Sequence, residues 1–385
     1  MESWKKVKLG DLFERVTRKN TNLESDNVLT ISAQYGLINQ EEFFNKSVAG
    51  KNLKNYYLLK KGEFAYNKSY SAGYPMGATK MLEKYDEGVV STLYICFRSK
   101  SDLVNNEYFK YYFESKQYYD ELSKIAQEGA RNHGLLNVNA NDFFNIKINV
   151  PKIEEQKRIA TIINNTNNII SKQVEKIEQI QRQKKKIIEK IFNQEIKLVD
   201  DYGKLYKKWE NYYIRDIADV SNGKSNTQDA VKNGKYPFYN RSEHISSSDK
   251  YLFDEEAIIT IGDGKIGKVF HYVNGKYDLH QRCYRIFNFD KSKITAKYFY
   301  HYFSNFFYKR AISMSAKGTV DSVRINFITD MKIVVPCIEE QNKIVKILDE
   351  FDEIIKKLNL ECEDFKKLKK ALMQKLLPGK VRAKI

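Results

Sequence analysis

The sequence predicts an α+β chain with a pseudo-twofold internal repeat: two globular blocks, each closed by a long helix, with the two helices packed antiparallel as a coiled coil. Three observations predict it. A seven-residue motif occurs twice, each time at the start of a long charged helix. Both helices carry a narrow apolar stripe at heptad spacing. The stretches before them mix β-branched, strand-like runs with aromatic, helix-like ones, as small α+β domains do.

The first copy of the motif reads Val150-Pro151-Lys152-Ile153-Glu154-Glu155-Gln156 and the second Val335-Pro336-Cys337-Ile338-Glu339-Glu340-Gln341. Their offset, 336 − 151 = 185 residues, holds without a gap along the helix. Proline presets φ for the first turn, and the two glutamates put negative charge where the helix dipole favours it. The first seam runs Ile159, Ile163, Thr166, Ile170, Gln173, Ile177, Ile180, Lys184, Ile187 and Ile191. Its counterpart, 185 residues on, is Ile344, Leu348, Phe351, Ile355, Leu358, Cys362, Phe365, Lys369, Leu372 and Leu376. Each helix thus has one stripe to bury and cannot bury it alone. Pairing within the chain satisfies both, and the shared register argues against two unrelated dimerisation helices. A helix from Glu154 to Phe192 is roughly 58 Å long at about 1.5 Å per residue.

Lys and Arg together number 66 against 49 Asp and Glu, a formal net charge of +17. That balance is silent on fold but favours a polyanionic partner. Tyr (27) and Phe (22) are plentiful enough to build aromatic cores in both blocks. Cys96, Cys283, Cys337 and Cys362 are too scattered for a zinc site or a disulfide framework, which fits a reducing cytoplasm. The opening Met1-Glu2-Ser3-Trp4-Lys5-Lys6 has no apolar signal core, and no apolar run approaches the roughly 18 residues of a membrane span. A cytoplasmic protein without membrane attachment is expected.

The chain divides into a globular block over 1–150, a helix and basic linker over 151–208, a second block over 209–335 and a last helix over 336–385. Each block opens on a tryptophan followed seven positions later by an aspartate, Trp4 with Asp11 and Trp209 with Asp216, as though the same short helix began both. In block one, 27–32 and 63–66 read as strands and 89–97 as one longer buried strand. Residues 107–126 read as an amphipathic helix and 143–150 as a strand. Block two offers strands at 257–261, 283–289 and 331–335 and a helix over 297–313. The blocks share a frame and diverge inside it.

No catalytic apparatus is legible. Gly262-Asp263-Gly264-Lys265-Ile266-Gly267-Lys268 matches G-x-x-x-x-G-K, but Val269 stands where a P-loop needs Ser or Thr to hold Mg²⁺. Residues 271–275 beyond it look like a hairpin and not like the helix whose N-terminus cradles phosphate. A nucleotide-binding enzyme using this loop is one alternative reading; a glycine-rich turn presenting Lys265 and Lys268 fits the residues better. His133, His244, His271, His280 and His301 make no pair at ligand spacing, so no metal site is expected. What remains is polar, aromatic and basic loop chemistry. Tyr66, Asn67, Lys68, Ser69 and Tyr70 lead into a turn with Tyr74, and Arg131, Asn132 and His133 lie in a second loop. Block two offers Asn240 and Arg241, Lys265, His280, Gln281 and Arg282, and a stretch with Lys317, Thr319, Asp321 and Arg324. Arg and Lys pair with guanine, Asn and Gln with adenine and Asp with cytosine, so these residue types suit major-groove readout. Each one alone is more often merely solvated.

With the doubled Val-Pro-x-Ile-Glu-Glu-Gln at each block's end, and Tyr66-Asn67-Lys68-Ser69 followed by Gly73-Tyr74-Pro75, the chain resembles the specificity subunits of type I restriction-modification systems. The resemblance covers the whole chain in that family's order of segments. It implies two target-recognition domains, each reading one half of an asymmetric bipartite DNA target, with the paired helices holding them apart and docking two methyltransferase subunits. It implies no catalysis and no cofactor on this chain. S-adenosylmethionine belongs to the methyltransferase subunits, and ATP with Mg²⁺ to restriction subunits that join the complex. A rod of that length spans at most about 17 base pairs, so half-sites on the order of one helical turn apart, with an unread spacer, are expected. Phosphate contacts would supply most of the affinity and the loops the discrimination. A coiled-coil scaffold that reads no sequence is the second alternative.

Overall fold

The structure is a computed structural model that describes residues 4–32, 35–44, 52–70, 73–128, 136–314 and 322–383. The chain forms two compact units, Met1–Val174 with Leu360–Ile385, and Glu175–Asn359. A central helix (Ile153–Phe192) starts in the first unit and ends in the second; a distal helix (Ile338–Leu376) does the reverse. Among the described residues no helix is long and apolar enough to cross a membrane.

Both units are built on one frame. In the first, Lys5–Lys8 pairs antiparallel with Lys147–Val150, tying the start of the block to the residue before the motif's proline. In the second, Glu210–Tyr213 pairs with Lys332–Val335 in the same way. Between entry and exit strands lies an antiparallel sheet, ordered Phe13–Arg15, Ile95–Ser99, Phe64–Asn67, Ala78–Met81. The second unit repeats that order with Asp219–Asn222, Cys283–Phe287, Phe253–Ile261 and Phe270–Leu279. It then extends the edge by Tyr236–Tyr239, which runs parallel to its neighbour, and Ser246–Ser248.

The longer helix of each block, Asn106–Glu114 and Ala296–Ser313, packs into its core. The aromatics do most of the filling. Phe13 meets Phe64, Phe97 and Phe109 edge to face at ring distances of 5.8, 5.3 and 5.0 Å. Such pairs add roughly 0.5–1.5 kcal/mol each beyond the area they bury.

Four local readings change. Residues 89–97 are two strand segments in different sheets, Glu87–Val90 and Ile95–Ser99, because Ser91 Oγ accepts the Leu93 N–H at 3.3 Å and closes a turn between them. The helix over 107–126 breaks into Asn106–Glu114 and Tyr119–Ser123 at Lys116, whose φ of 65° no α-helix accommodates. Residues 143–150 begin as a short helix, Ala140–Asn145, capped by the Asn139 side chain, before the strand. Each opening tryptophan leads into a strand and only then a single turn. Asp11 and Asp216 cap those turns by accepting the Lys8 and Tyr213 N–H groups at 3.0 and 3.2 Å.

The heptad seam is the least exposed stripe on both helices. Ile159, Ile163, Ile177, Ile344, Leu348 and Leu358 are buried, while Ile170, Ile187, Phe351, Ile355, Phe365 and Leu372 are half-buried. In the first unit Ile159 and Ile163 share a core with Leu372 and Leu376. In the second, Ile188 and Ile191 share one with Ile344 and Leu348. Opening turns therefore lie beside closing turns, and the pairing is antiparallel within each unit. Polar seam positions are answered across it. Gln173 donates to Glu361 at 2.9 Å in the first unit, and Lys184 to Asp352 at 2.5 Å in the second. Even the exits match: Gln194 and Gly379, 185 residues apart, both take positive φ, and Ile196 and Val381 cap the Lys190 and Lys375 carbonyls.

Candidate nucleic-acid interface

The doubled motif is the joint that sets each block on its helix. Trp4 donates its indole N–H to Glu155 at 3.1 Å, and Trp209 donates to Glu340 at 2.9 Å. Gln156 donates to the Leu103 and Pro151 carbonyls at 2.9 and 3.0 Å and accepts the Asn105 N–H at 2.9 Å. Gln341 repeats this with Lys293, Pro336 and Thr295 at 2.7, 2.8 and 2.8 Å. Asn105 and Thr295 are the N-caps of the two block helices, so one buried, fully bonded amide locks block helix to long helix in each unit.

One turn further along, the joints diverge. In the second unit His301 Nε2 lies 2.9 Å from Asp349, with Asp352 close by, a grouping that resembles a metal-ligand set. Each carboxylate is already taken by a cation, Asp349 by Lys297 at 2.8 Å and Asp352 by Lys184 at 2.5 Å. In the first unit the matching places hold Tyr111, bonded to Asn164 and Asn167. The shared position is structural, charged in one unit and neutral in the other.

Far from the joint in sequence, the connections of the second sheet converge on a polar cleft of about 330 Å³, lined by Asn222, Asp263, Gln281, Arg282, Tyr284 and Ser322 among others. Backbone bonds knit its walls. Gly262 donates to the Arg282 carbonyl at 2.8 Å, and Val323 donates to the Gly262 carbonyl at 2.7 Å. Gly262 is needed there, since a Cβ would sit 2.9 Å from the Arg282 carbonyl oxygen. Arg241 and Arg282 both direct a guanidinium N–H at Asp263 Oδ2, at 3.5 and 3.4 Å. Gln281 donates its amide to Asn226.

His280 is buried. Its Nδ1 accepts the Arg282 backbone N–H at 3.0 Å, leaving Nε2 to face Thr227 at 3.3 Å. Burial, reinforced by Arg241, pushes its pKa below the usual histidine value, so the ring is a neutral brace for the turn that carries Gln281 and Arg282. Asn240 also shapes its loop, donating to Ser246 at 2.9 Å and accepting the Ser242 N–H at 2.8 Å. Lys265 is exposed and pairs with Glu243 at 2.7 Å. Arg324 is exposed at the start of a one-turn helix, Ile325–Thr329. The segment 262–269 joins two antiparallel strands, with Thr260 opposite Phe270, so no helix N-terminus follows it.

In the first unit Tyr66 lies in the core, stacked on Phe143 at 5.1 Å, with its hydroxyl donating to Met76 O at 3.0 Å. Burial holds that phenol well above its usual pKa. Asn67 turns the chain outward by accepting the Ser69 N–H at 3.0 Å. Lys68 is half-buried against the Val138 carbonyl at 3.4 Å, and burial, then Arg15, lowers its pKa. Tyr70 is exposed. Tyr74 is half-buried and carries Lys116 4.5 Å and Lys80 5.3 Å from its ring centre, a cationic aromatic platform.

Arg131, Asn132, His133, Lys317, Thr319 and Asp321 lie outside the described residues. Of the others, the structure brings Gln281 and Arg282 to one cleft with Arg241 beside it, and sets Asn67, Lys68, Ser69 and Tyr70 around one turn. Asp263, Lys80 and Lys116 are the additions that sequence reasoning misses. Asp263 is hidden inside the P-loop look-alike, and nothing local marks the two lysines as neighbours of Tyr74.

Residues 1–182 and 206–364 match the family model described as Type I restriction modification DNA specificity domain. The chain is 24% identical, over 422 aligned positions covering all of it and 94% of the other protein, to the type I restriction enzyme MjaVIII specificity subunit of Methanocaldococcus jannaschii. It is 26% identical to the Escherichia coli EcoDI specificity subunit over 46% of this chain and 38% of that one. The fold is similar to the crystal structure of a type I restriction-modification S subunit from M. genitalium, with a TM-score of 0.57 at 14% identity, covering 99% of this chain and 96% of that one. It is also similar to a chain from a structure concerned with complex assembly and conformational transition of the type I R-M system, with a TM-score of 0.60 at 14% identity and 99% of both chains covered.

Proposed function

The chain belongs to the type I restriction modification DNA specificity domain family, and from that premise we propose that its two units read the two unlike halves of one bipartite double-stranded DNA target. It is the specificity subunit of a type I restriction-modification system. One observation supports the division of labour above others: the tryptophan and glutamine bonds of the joint repeat, whereas the loops it carries do not. Trp4–Glu155 and Trp209–Glu340 are the same fixture, and Gln156 and Gln341 hold the same caps. Above them, the first unit presents Tyr70, Tyr74 and two lysines, and the second a cleft with two arginines on a carboxylate. A repeated mount with interchangeable heads suits a ruler that reads different sequences at its ends.

On this reading the paired helices set the half-site spacing and offer the docking surface for two methyltransferase subunits, which restriction subunits then join. Catalysis and cofactors, S-adenosylmethionine on the methyltransferase subunits and ATP with Mg²⁺ on the restriction subunits, belong to those partners. The net charge of +17 supplies non-specific attraction to phosphate, and the loops supply the discrimination. The P-loop reading loses its footing because residues 262–269 form a hairpin connection. Exchanging residues 4–150 for the matching block of a diverged relative, then mapping methylated bases in the host genome, tests the proposal. One half of the target should change and the other, with the spacing, should stay. An unchanged target would overturn it.

A further inference from the structure

The arginines of the second unit are held in a way that a solvated loop does not require. Both guanidiniums meet one oxygen of Asp263, while its other oxygen, Oδ1, is buried with no hydrogen-bond partner among the described residues. A dry acceptor costs stability. The arginines, with side chains 53% and 63% exposed, return little of it, as exposed ion pairs generally do. Asp263 therefore serves the arginines more than the fold. Each guanidinium has five donors and gives one to the carboxylate, and both side chains stay more than half exposed, so donors remain for a ligand.

Resting on the reading above, we propose that Arg241 and Arg282 form a guanine-reading pair for the half-site of the second unit, with Asp263 the positioning residue that aims them. O6 and N7 of guanine offer two acceptors at the spacing of a guanidinium edge in the major groove. A phosphate would accept the same donors, but a carboxylate 3.4 Å away weakens the pull on an anion. It leaves the attraction to a neutral base edge largely intact. Asp263 is not itself the reader of a cytosine amino group, because its uncommitted oxygen is buried. The two residues that follow Phe64–Asn67, the first unit's counterpart of Phe253–Ile261, are Lys68 and Ser69, so no carboxylate stands at the place of Asp263 there.

The test is selection from a library of DNA duplexes, randomised at both half-sites, by the full chain and its variants. Wild type should select guanine in one or two positions of the half-site assigned to the second unit. Arg282→Ala, at an exposed side chain, should lower that preference by about 5- to 150-fold, the worth of one bidentate pair. Asp263→Asn should lower it at the same positions by about fivefold or more, with the first half-site and the unfolding temperature unchanged. No guanine there, an equal loss of binding on every sequence for Arg282→Ala, or an unmoved preference for Asp263→Asn each overturns the proposal. A wild-type chain that selects no bipartite sequence at all would instead bring down the functional reading beneath it.

Discussion

Glu155 and Glu340 occupy one position of the repeat and receive the same indole N–H, yet their carboxyls are driven in opposite directions. Both are almost fully buried, which alone raises a carboxyl pKa. Arg382 then grips both oxygens of Glu155, at 2.8 and 2.6 Å, and with Trp4 brings it below the usual value. Glu340 has the Trp209 bond and, among the described residues, no arginine, and burial keeps it raised.

From that asymmetry Glu340→Gln is expected to leave the second unit as stable at pH 7 or more so, since an amide oxygen still accepts from Trp209. Glu155→Gln should lower the unfolding midpoint of the first unit by several degrees. The signs with pH differ too. Glu155 contributes stability above about pH 4.5, where the unfolded carboxyl ionises, and loses it as pH falls. Glu340 holds its proton more tightly when folded, so its contribution grows as pH falls toward 4.5. Calorimetry of both variants across pH 7 to 4 checks this; equal losses would refute it.

Acid should act on the second unit first. His271, His280 and His301 all lie there, and burial lowers the pKa of each below the ordinary 6.5. Groups around His301 pull against one another: Asp349 favours its charged form, Lys184 opposes it, and burial outweighs both. Between pH 6.5 and the lower folded values, the unfolded chain binds protons that the folded chain does not, so stability is full above 6.5 and falls as pH drops. Hydrogen exchange at pH 7 and 5.5 should show residues 175–359 opening more at the lower pH, with residues 4–150 little changed. Double substitution of His280 and His301 by Gln should flatten the difference.

The two helices were legible because a heptad pattern is local and periodic, so Ile159 to Ile191 declare their stripe without any partner in view. The motif's repetition was equally plain, but its purpose was not. Glu155 acts on Trp4 and Gln156 on Asn105, and contacts across 151 and 51 residues leave no trace in spacing. Loop residues were the hardest to read. Tyr66 and His280 are chemically suited to bind bases, yet burial turns the first into core and the second into a brace. Asp263 lies in a glycine-rich turn with no local mark of a role, and only the fold brings Arg241, 22 residues before it, and Arg282, 19 after, to the same carboxylate.

Along the seam, burial varies enough to rank substitutions. Leu348 is fully buried, so Leu348→Ala should cost the second unit about 2–5 kcal/mol. Ile170 and Ile355 are half-buried, and the same change there should cost clearly less. An aspartate at either position should still cost several kcal/mol and splay the pair, because the new charge has no partner. If the helices act as a ruler, the gap between methylated half-sites should then spread over several spacings. A single sharp spacing with a folded protein would count against it.

Gly77 offers a way to disable one reading head and leave the other intact. Its φ of 74° suits glycine, and a Cβ there would lie 2.2 Å from the Asn67 carbonyl oxygen and 2.9 Å from the Tyr66 ring. Both neighbours are fixed, Tyr66 by its stack on Phe143 and Asn67 by the strand ladder with Ala78. Gly77→Ala must therefore move the turn that carries Tyr74, whose ring has both Lys80 and Lys116 beside it. A strained backbone position of this kind costs about 1–3 kcal/mol, so the unit should stay folded with its loop displaced. Selection from the same duplex library should then show the first half-site blurred and the second unchanged. Equal blurring of both halves would mean that the two units do not read independently.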